Sequence, residues 1–383
     1  VTESATQANK PVREERQPAR SEVDEVAPGV LRIQLPISLP GLGHVNCYAL
    51  EDSKGVTLVD PGLPGLRTWR HLNRQLESAG LPINRVHTVI ITHSHPDHFG
   101  QAVRFQRKNR ARIVTHKTFR TIFDPSAEND DGEVATVFEP DTSSDAETNS
   151  TDSRIDLPAS VHPDHDHADD LGPFARVTPW GGRPYELPMR RRARYWAMRR
   201  LAGKFMVAPK PTHSVEEAEV LEVGGNEWVS VHTPGHTRDH LCLWNPNDKI
   251  MISGDHVLPT ITPHISGLGA TVDPLADFFH SLDRMATFES SVVLPAHGLA
   301  FTDLANRAHS IRDHHLERLD TLRQAGNELG WGTVEQYMKA LFQPRSWGSM
   351  AESETYAHLE HLRVLGQAQV RIDHSFLQYS MVD

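Results

Sequence analysis

The stretch VHTVIITHSHPDHFG, residues 86–100, constrains this chain more than any other. Its first half is a run of apolar and β-branched residues that reads as a buried strand. The strand ends directly in His93, His95, Asp97 and His98, three histidines and an aspartate within six positions. At a strand end, alternation points His93 and His95 the same way, while the turn that follows carries Asp97 and His98 round to a second centre. One loop can thus serve two metal ions. The chain has only two cysteines, Cys47 and Cys242, which excludes a disulfide framework and a metal site built mainly from thiolates. Metal chemistry here must use histidine and carboxylate, and with 24 histidines in the chain only spacing separates ligands from bystanders.

The same punctuation recurs further along. LVDPG supplies Asp60, HTPGHT supplies His236, SGDH supplies Asp255 and LPAHG supplies His297, each behind a β-like run. In this order, and following HxHxDH, the set resembles the metallo-β-lactamase superfamily. The resemblance implies an αββα sandwich in which one zinc takes His93, His95 and His236 and the other takes Asp97, His98 and His297. Asp255 bridges the two, with a hydroxide completing the bridge. Asp60 then orients a ligand histidine through a hydrogen bond, and Asp97 or Asp255 relays the proton. Iron or manganese suits the same ligand set, with zinc as the default.

Two such ions lower the pKa of a shared water from 15.7 to about 7, so the resemblance implies a hydrolase in which the bridging hydroxide attacks a carbonyl. Aspartate at 255 is similar to the glyoxalase II, lactonase and nuclease branches; true β-lactamases usually carry Cys or Ser there. SGDHVLPTITPHI, with the helical tail beyond it, looks like the glyoxalase II-like hydrolases related to the β-lactamase-like-protein-2 branch. The basic and aromatic set that holds glutathione is not found, which speaks against hydroxyacylglutathione specifically and leaves a bulkier thioester, of acyl-CoA or acylglutathione type, open. A lactonase is the second expectation and a metal-dependent ribonuclease the third. His256 and His264 flank the metal loop and are candidates for the pocket wall; Asp239 and His240 of HTRDH have no assigned part.

Strand-like runs fall at 29–37, 45–52, 55–60, 86–92, 111–116, 228–234, 240–246, 249–255 and 291–297, with helical patterns at 67–80 and 276–288 among them, as an α/β sandwich requires. We therefore expect a polar N-terminal arm over 1–28, a catalytic domain over 29–302 and a C-terminal unit over 303–383. That unit opens with an amphipathic helix, Asp303–Ala325, carrying Leu304, Ile311, Leu316, Leu319 and Leu322 on one side. Two shorter helices and a strand-like tail follow, an order that resembles a winged helix.

Charge is unevenly spread. The net charge is −11, yet residues 124–170 hold 15 acidic residues against Arg154 alone, so the remainder is close to neutral and this segment reads as an acidic insertion. A basic helical segment follows at about 184–205, with RRRARYWAMRRLAGKF at its core; pairing with the insert is its favoured reading, and together the two are expected to wall the metals. HPDHDH at 162–167 mimics the metal motif but lacks a strand to aim it. Residues 327–383 carry 7 acidic against 4 basic residues, which disfavours a nucleic-acid partner and leaves packing or homodimerisation for the tail. No apolar run reaches the roughly 20 residues of a membrane span and no signal-peptide pattern opens the sequence. The expectation is a cytoplasmic enzyme acting on a small acyl substrate.

Overall fold

The computed structural model describes residues 13–39, 41–121, 178–181, 208–268 and 271–382. The acidic insertion, the basic segment and HPDHDH lie outside the described residues. The first sheet holds seven strands in chain order: β1 (Val23–Ala27), β2 (Val30–Leu39), β3 (Leu42–Asp52), β4 (Gly55–Val59), β5 (Val86–Ile90), β6 (Arg112–His116) and β7 (His213–Val215). It is antiparallel through β4 and parallel from β4 to β7. Helix α1 (Leu66–Ser78) makes the crossover between β4 and β5, and α2 (Pro96–Phe99) with α3 (Ala102–Asn109) makes that between β5 and β6.

The second sheet comprises β8 (Val220–Val223), β9 (Asn226–His232), β10 (Leu241–Asn245), β11 (Ile250–Gly254) and β12 (Val292–Pro295), with α4 (Pro274–Met285) as the crossover to the parallel β11–β12 pair. Strand alternation explains the layering. In β10, Leu241 and Leu243 point into the apolar cluster between the sheets, alongside Tyr48, Val59 and Ile90, while Cys242 points to the helices on the outer face. In β11, Ile250 and Ile252 likewise face inward and Met251 outward. A third cluster packs Leu72, Leu76 and Phe105 of α1 and α3 on the far side of the first sheet, against Leu58, Val89 and Ile113. Both faces of both sheets are covered, so the central strands read as continuous apolar runs. The architecture is the expected αββα sandwich.

After β12 come α5 (Leu304–Leu329), β13 (Gly332–Thr333), α6 (Val334–Leu341), α7 (Ser349–Val364), β14 (Ala368–Asp373) and β15 (Phe376–Met381), the last three strands forming a small sheet in the order β13-β15-β14. Helix, strand, two helices and a hairpin make the winged-helix-like order. Asp303 caps α5 by accepting from the Asn306 amide. The buried stripe of α5 is Leu304, Ala308, Ile311, His315, Leu319, Leu322 and Gly326; Leu316 falls off that 3.6-residue spacing and is exposed, contrary to expectation.

Two boundaries differ from the sequence reading. Residue 303 is no boundary of packing, because Leu304, Ile311, Leu319, Leu362 and Tyr379 share one apolar cluster with Val231, Met251, Val293 and Phe278. The polar arm does not extend to residue 28 either. Glu14–Arg16 forms a 3-10 turn in which Glu14 and Glu15 are buried, and Val23–Ala27 pairs with β2. The charges that made this stretch look solvated are used internally: Glu14 accepts from Arg32 and from Gln34 of β2.

Candidate metal centre

Asp60, His93, His236, Asp255 and His297 each follow the C-terminal end of β4, β5, β9, β11 or β12. These strands run the same way within each sheet, so the residues gather at one end of the sandwich. After His95 the chain turns at once into α2, with Pro96 at its first position, where a missing N–H costs nothing. That turn separates the loop's side chains into two groups.

The seven residues expected to hold metal fall into two clusters: His93, His95, His236 and Asp255 in one, Asp97, His98 and His297 in the other. Within each, the candidate ligand atoms lie within 4.8 Å of one another. His95 Nδ1 is 2.9 Å from His93 Nε2 and 3.2 Å from His236 Nε2. Asp97 Oδ2 is 3.7 Å from His98 Nε2 and 3.6 Å from His297 Nε2. Asp255 reaches both groups. Its Oδ2 is 3.9 Å from His93, 3.7 Å from His236 and 3.5 Å from His98, and its Oδ1 is 3.5 Å from His297.

The far ring nitrogens are held by the scaffold, which fixes the direction of each imidazole. His98 Nδ1 donates to Asp60 Oδ2 at 2.9 Å, His236 Nδ1 to the His264 carbonyl at 2.7 Å and His297 Nδ1 to the His44 carbonyl at 2.9 Å. Asp60 also accepts from the Thr92 amide and hydroxyl, at 2.9 and 2.7 Å. It sits at φ +55°, a left-handed conformation that aspartate tolerates better than most residues. The Asp255 amide donates to His240 Nε2 at 3.0 Å, and His240 Nδ1 is 2.7 Å from the Thr233 hydroxyl. Ser94, between the two loop histidines, donates to Asp239 at 3.0 Å. Asp239 and His240 therefore brace the loop and the Asp255 backbone.

The donor chemistry fits divalent cations. His98 Nε2, His297 Nε2 and Asp255 Oδ1 are buried without a hydrogen-bond partner, and the Asp255 carboxylate lies 3.5 Å from both imidazoles. A buried orphan of this kind costs about 1–3 kcal/mol, which a shared cation would offset. Burial pushes His93 and His236 below the ordinary histidine value and His95 down to about 3, keeping all three neutral and able to ligate. Burial acts the same way on His98 and His297. There the carboxylates outweigh it, Asp60, Asp97 and Asp255 for His98 and chiefly Asp255 for His297, and raise both. Burial tends to raise Asp255, but charged His297 and His98 hold it well below the usual carboxylate range. A cation at this half of the site would take the place of those protons.

The two pocket candidates lie differently from the expectation. His256 is fully buried, its ring 5.7 Å from His240 and 4.8 Å from Phe278, so it packs behind the site instead of lining an opening. His264 presents its carbonyl to His236, while its imidazole points away to Glu354 at 3.3 Å. Glu354 also accepts from Arg318 of α5. A ligand-bearing loop is thus tied to the winged-helix-like unit through residues 36 and 90 positions apart, a link that no local pattern announces.

The sequence profile of the metallo-beta-lactamase superfamily matches residues 40–167 and 161–297, a stretch that holds every one of these site residues. The chain belongs to this superfamily. Along most of its length it is similar to the probable metallo-hydrolase YqjP of Bacillus subtilis, 22% identical over 342 residues, which are 87% of this chain and 92% of that protein. A shorter match, 30% identical over 141 residues, is to the atrochrysone carboxyl ACP thioesterase nsrC of Aspergillus novofumigatus; it covers 34% of this chain and 42% of the fungal protein. Among solved structures, a metallo-beta-lactamase family protein from Thermus thermophilus is 25% identical with a TM-score of 0.67, over 94% of this chain and all of that one. The protein is accordingly a metal-dependent hydrolase of this superfamily. Among the described residues no helix is long and apolar enough to cross a membrane.

Proposed function

We propose that the protein hydrolyses an acyl thioester with two divalent cations, zinc by default, and does so in the cytoplasm, where its two unpaired buried thiols stay reduced. The observation that carries the two-cation reading is the Asp255 carboxylate, within 3.5–3.9 Å of histidines from both clusters. The first cluster would hold one cation through His93, His95 and His236, the second the other through Asp97, His98 and His297, with Asp255 reaching both. When bound, the pair supplies a water activated at neutral pH and a Lewis acid for the acyl oxygen. The thioester assignment draws on the likeness to the fungal ACP thioesterase.

The chain's own residues do the rest. Asp60, the His264 carbonyl and the His44 carbonyl fix the imidazole directions, so no reorganisation is needed as charge develops. Asp97 and Asp255 are the carboxylates of the two clusters, Asp255 lying against histidines of both, and they are the bases placed to handle the proton of a water held there. One of them takes the proton lost by water as the C–O bond forms and returns it as the C–S bond breaks, giving a carboxylic acid and a thiol. The test is elemental analysis combined with a panel of acyl-CoA, acylglutathione, lactone and single-stranded RNA substrates. About two metal equivalents per chain with thioester turnover abolished by chelation is the expected result; turnover of lactones or RNA alone overturns the assignment.

A further inference from the structure

We infer that the paired helices α1 and α3 form a docking face for an acidic protein, the carrier on which the acyl thioester is delivered; this rests on the thioester reading above. Arg67, Arg70 and Arg74 line one exposed side of α1, and Arg107 and Lys108 are exposed on α3 beside the half-buried Arg104. The two rows are joined by Trp69. Its ring packs on Phe105 at 5.1 Å and holds Arg104 at 5.4 Å and Lys108 at 5.2 Å. Arg67, Trp69, Arg70, Asn73 and Arg74 line a shallow hollow of about 630 Å³.

Among the described residues none of these six cations, gathered on two adjacent helices, forms an ion pair. The arrangement costs stability. Arg67 and Arg70, Arg70 and Arg74, and Arg104 and Lys108 are like charges at helical spacings that repel. Neither helix has an acidic residue in its first turn to meet the positive end of its dipole. Repulsion of this kind is relieved when a polyanionic surface is laid across it.

The face leads to the metal centre. Gln101 donates to the Leu63 and Gly65 carbonyls at 2.6 and 2.9 Å, clamping the start of α3 to the start of α1. Gly100 abuts Pro64 so closely that a Cβ there would lie 2.2 Å from the Pro64 nitrogen. Asp97 and His98 immediately precede this junction. From Arg67 to Arg74 the cations run about 10 Å along the helix, exposed and not convergent. That suits a row of carboxylates on a protein surface better than one phosphate. RNA is the disfavoured polyanion because the residues from 327 to the end are net acidic.

The experiment measures binding of the intact, metal-loaded protein to a purified acidic four-helix acyl carrier protein whose phosphopantetheine arm ends in a non-hydrolysable thioether. Wild type is expected to bind in a salt-sensitive manner, and R67E/R70E/R74E to bind about tenfold or more weakly. Metal content and turnover of a small thioester should be unchanged, and the melting temperature should not fall. R104E/K108E provides the same test from the second helix. Equal binding by wild type and both variants overturns the proposal, as does no binding by wild type, or a single-stranded RNA as the only ligand whose binding the substitutions abolish. Failure of wild type to hydrolyse any thioester would sink the reaction assignment separately, since carrier binding is read without turnover.

Discussion

Asp60→Asn isolates what one carboxylate does for the metal centre. In the wild type one oxygen accepts from the Thr92 amide at 2.9 Å, and the other accepts from the Thr92 hydroxyl at 2.7 Å and from His98 Nδ1 at 2.9 Å. The backbone amide can only donate, so the asparagine oxygen must stay with it, which places the new NH2 against Thr92 and His98. The hydroxyl can reverse its role, but the imidazole then has to accept at Nδ1 and carry its proton on Nε2. Nε2 is the atom facing Asp97 at 3.7 Å and Asp255 at 3.5 Å, and a protonated nitrogen cannot ligate. Loss of such a supporting contact weakens metal binding about 10–100-fold, or about 1.4–2.8 kcal/mol, and here the loss falls directly on the Asp97, His98 and His297 cluster, reaching His93 only through the Thr92 hydroxyl 3.0 Å from its Nδ1. Dialysis against graded chelator followed by elemental analysis should show one cation leaving well before the other. Nitrogen NMR should place the His98 proton on Nε2. Two cations retained with wild-type affinity would refute the tautomer argument.

Other outcomes follow from the same geometry. Burial tends to raise Glu354, but the His264 hydrogen bond and Arg318 lower it from 4.5 to about 2, so its stabilisation is complete above about pH 4.5 and is lost as pH falls towards 2. The interval corresponds to about 3 kcal/mol. Glu354→Gln should therefore lower stability at neutral pH and flatten the acid-denaturation profile in that window; an unchanged profile would contradict the ion-pair account. Gly235 has φ +129°, and a Cβ there would lie 2.4–2.6 Å from Phe278 backbone and Cβ atoms, so Gly235→Ala should cost about 3 kcal/mol or more in denaturant titration and re-aim His236. Burial pushes the Cys242 thiol up to about 12 and Cys47 well above its ordinary range. Neither should react with a thiol reagent at neutral pH until the protein unfolds.

The sandwich and the site were legible from the chain to different depths. The nine strand-like runs all correspond to strands, because each is rich in β-branched, aliphatic or aromatic residues, several of them alternating with polar ones. Strands β1, β7 and β8 were not foreseen. VDEVA and VLEV mix charge with small apolar residues, and HSV is too short to carry a period. The metal-capable residues stood out because each lies within a few positions of a strand end, where direction follows from local alternation. What aims them did not stand out. The carbonyls of His44 and His264 hold rings from 253 and 28 positions away, and a backbone carbonyl leaves no signature in residue identity. The acidic tail was readable in charge but not in contact: Glu354 of α7 counts as one more surface carboxylate until Arg318 of α5 and His264 of the loop after β11 pack against it.

The apolar cluster that runs without a break from the second sheet into α5, α7 and the terminal hairpin fixes how this chain can change. Cutting before Leu304 would remove Leu304, Ile311, Leu319, Leu362 and Tyr379 from the cluster they share with the second sheet and α4, and leave His264 without Glu354. A shortened protein would therefore be expected to aggregate, not to survive as a smaller enzyme. The tail cannot be traded between proteins like a bead on a string. Any lineage that replaces it must redesign the outer wall of the sandwich, and the seat of one metal-facing histidine, at the same time.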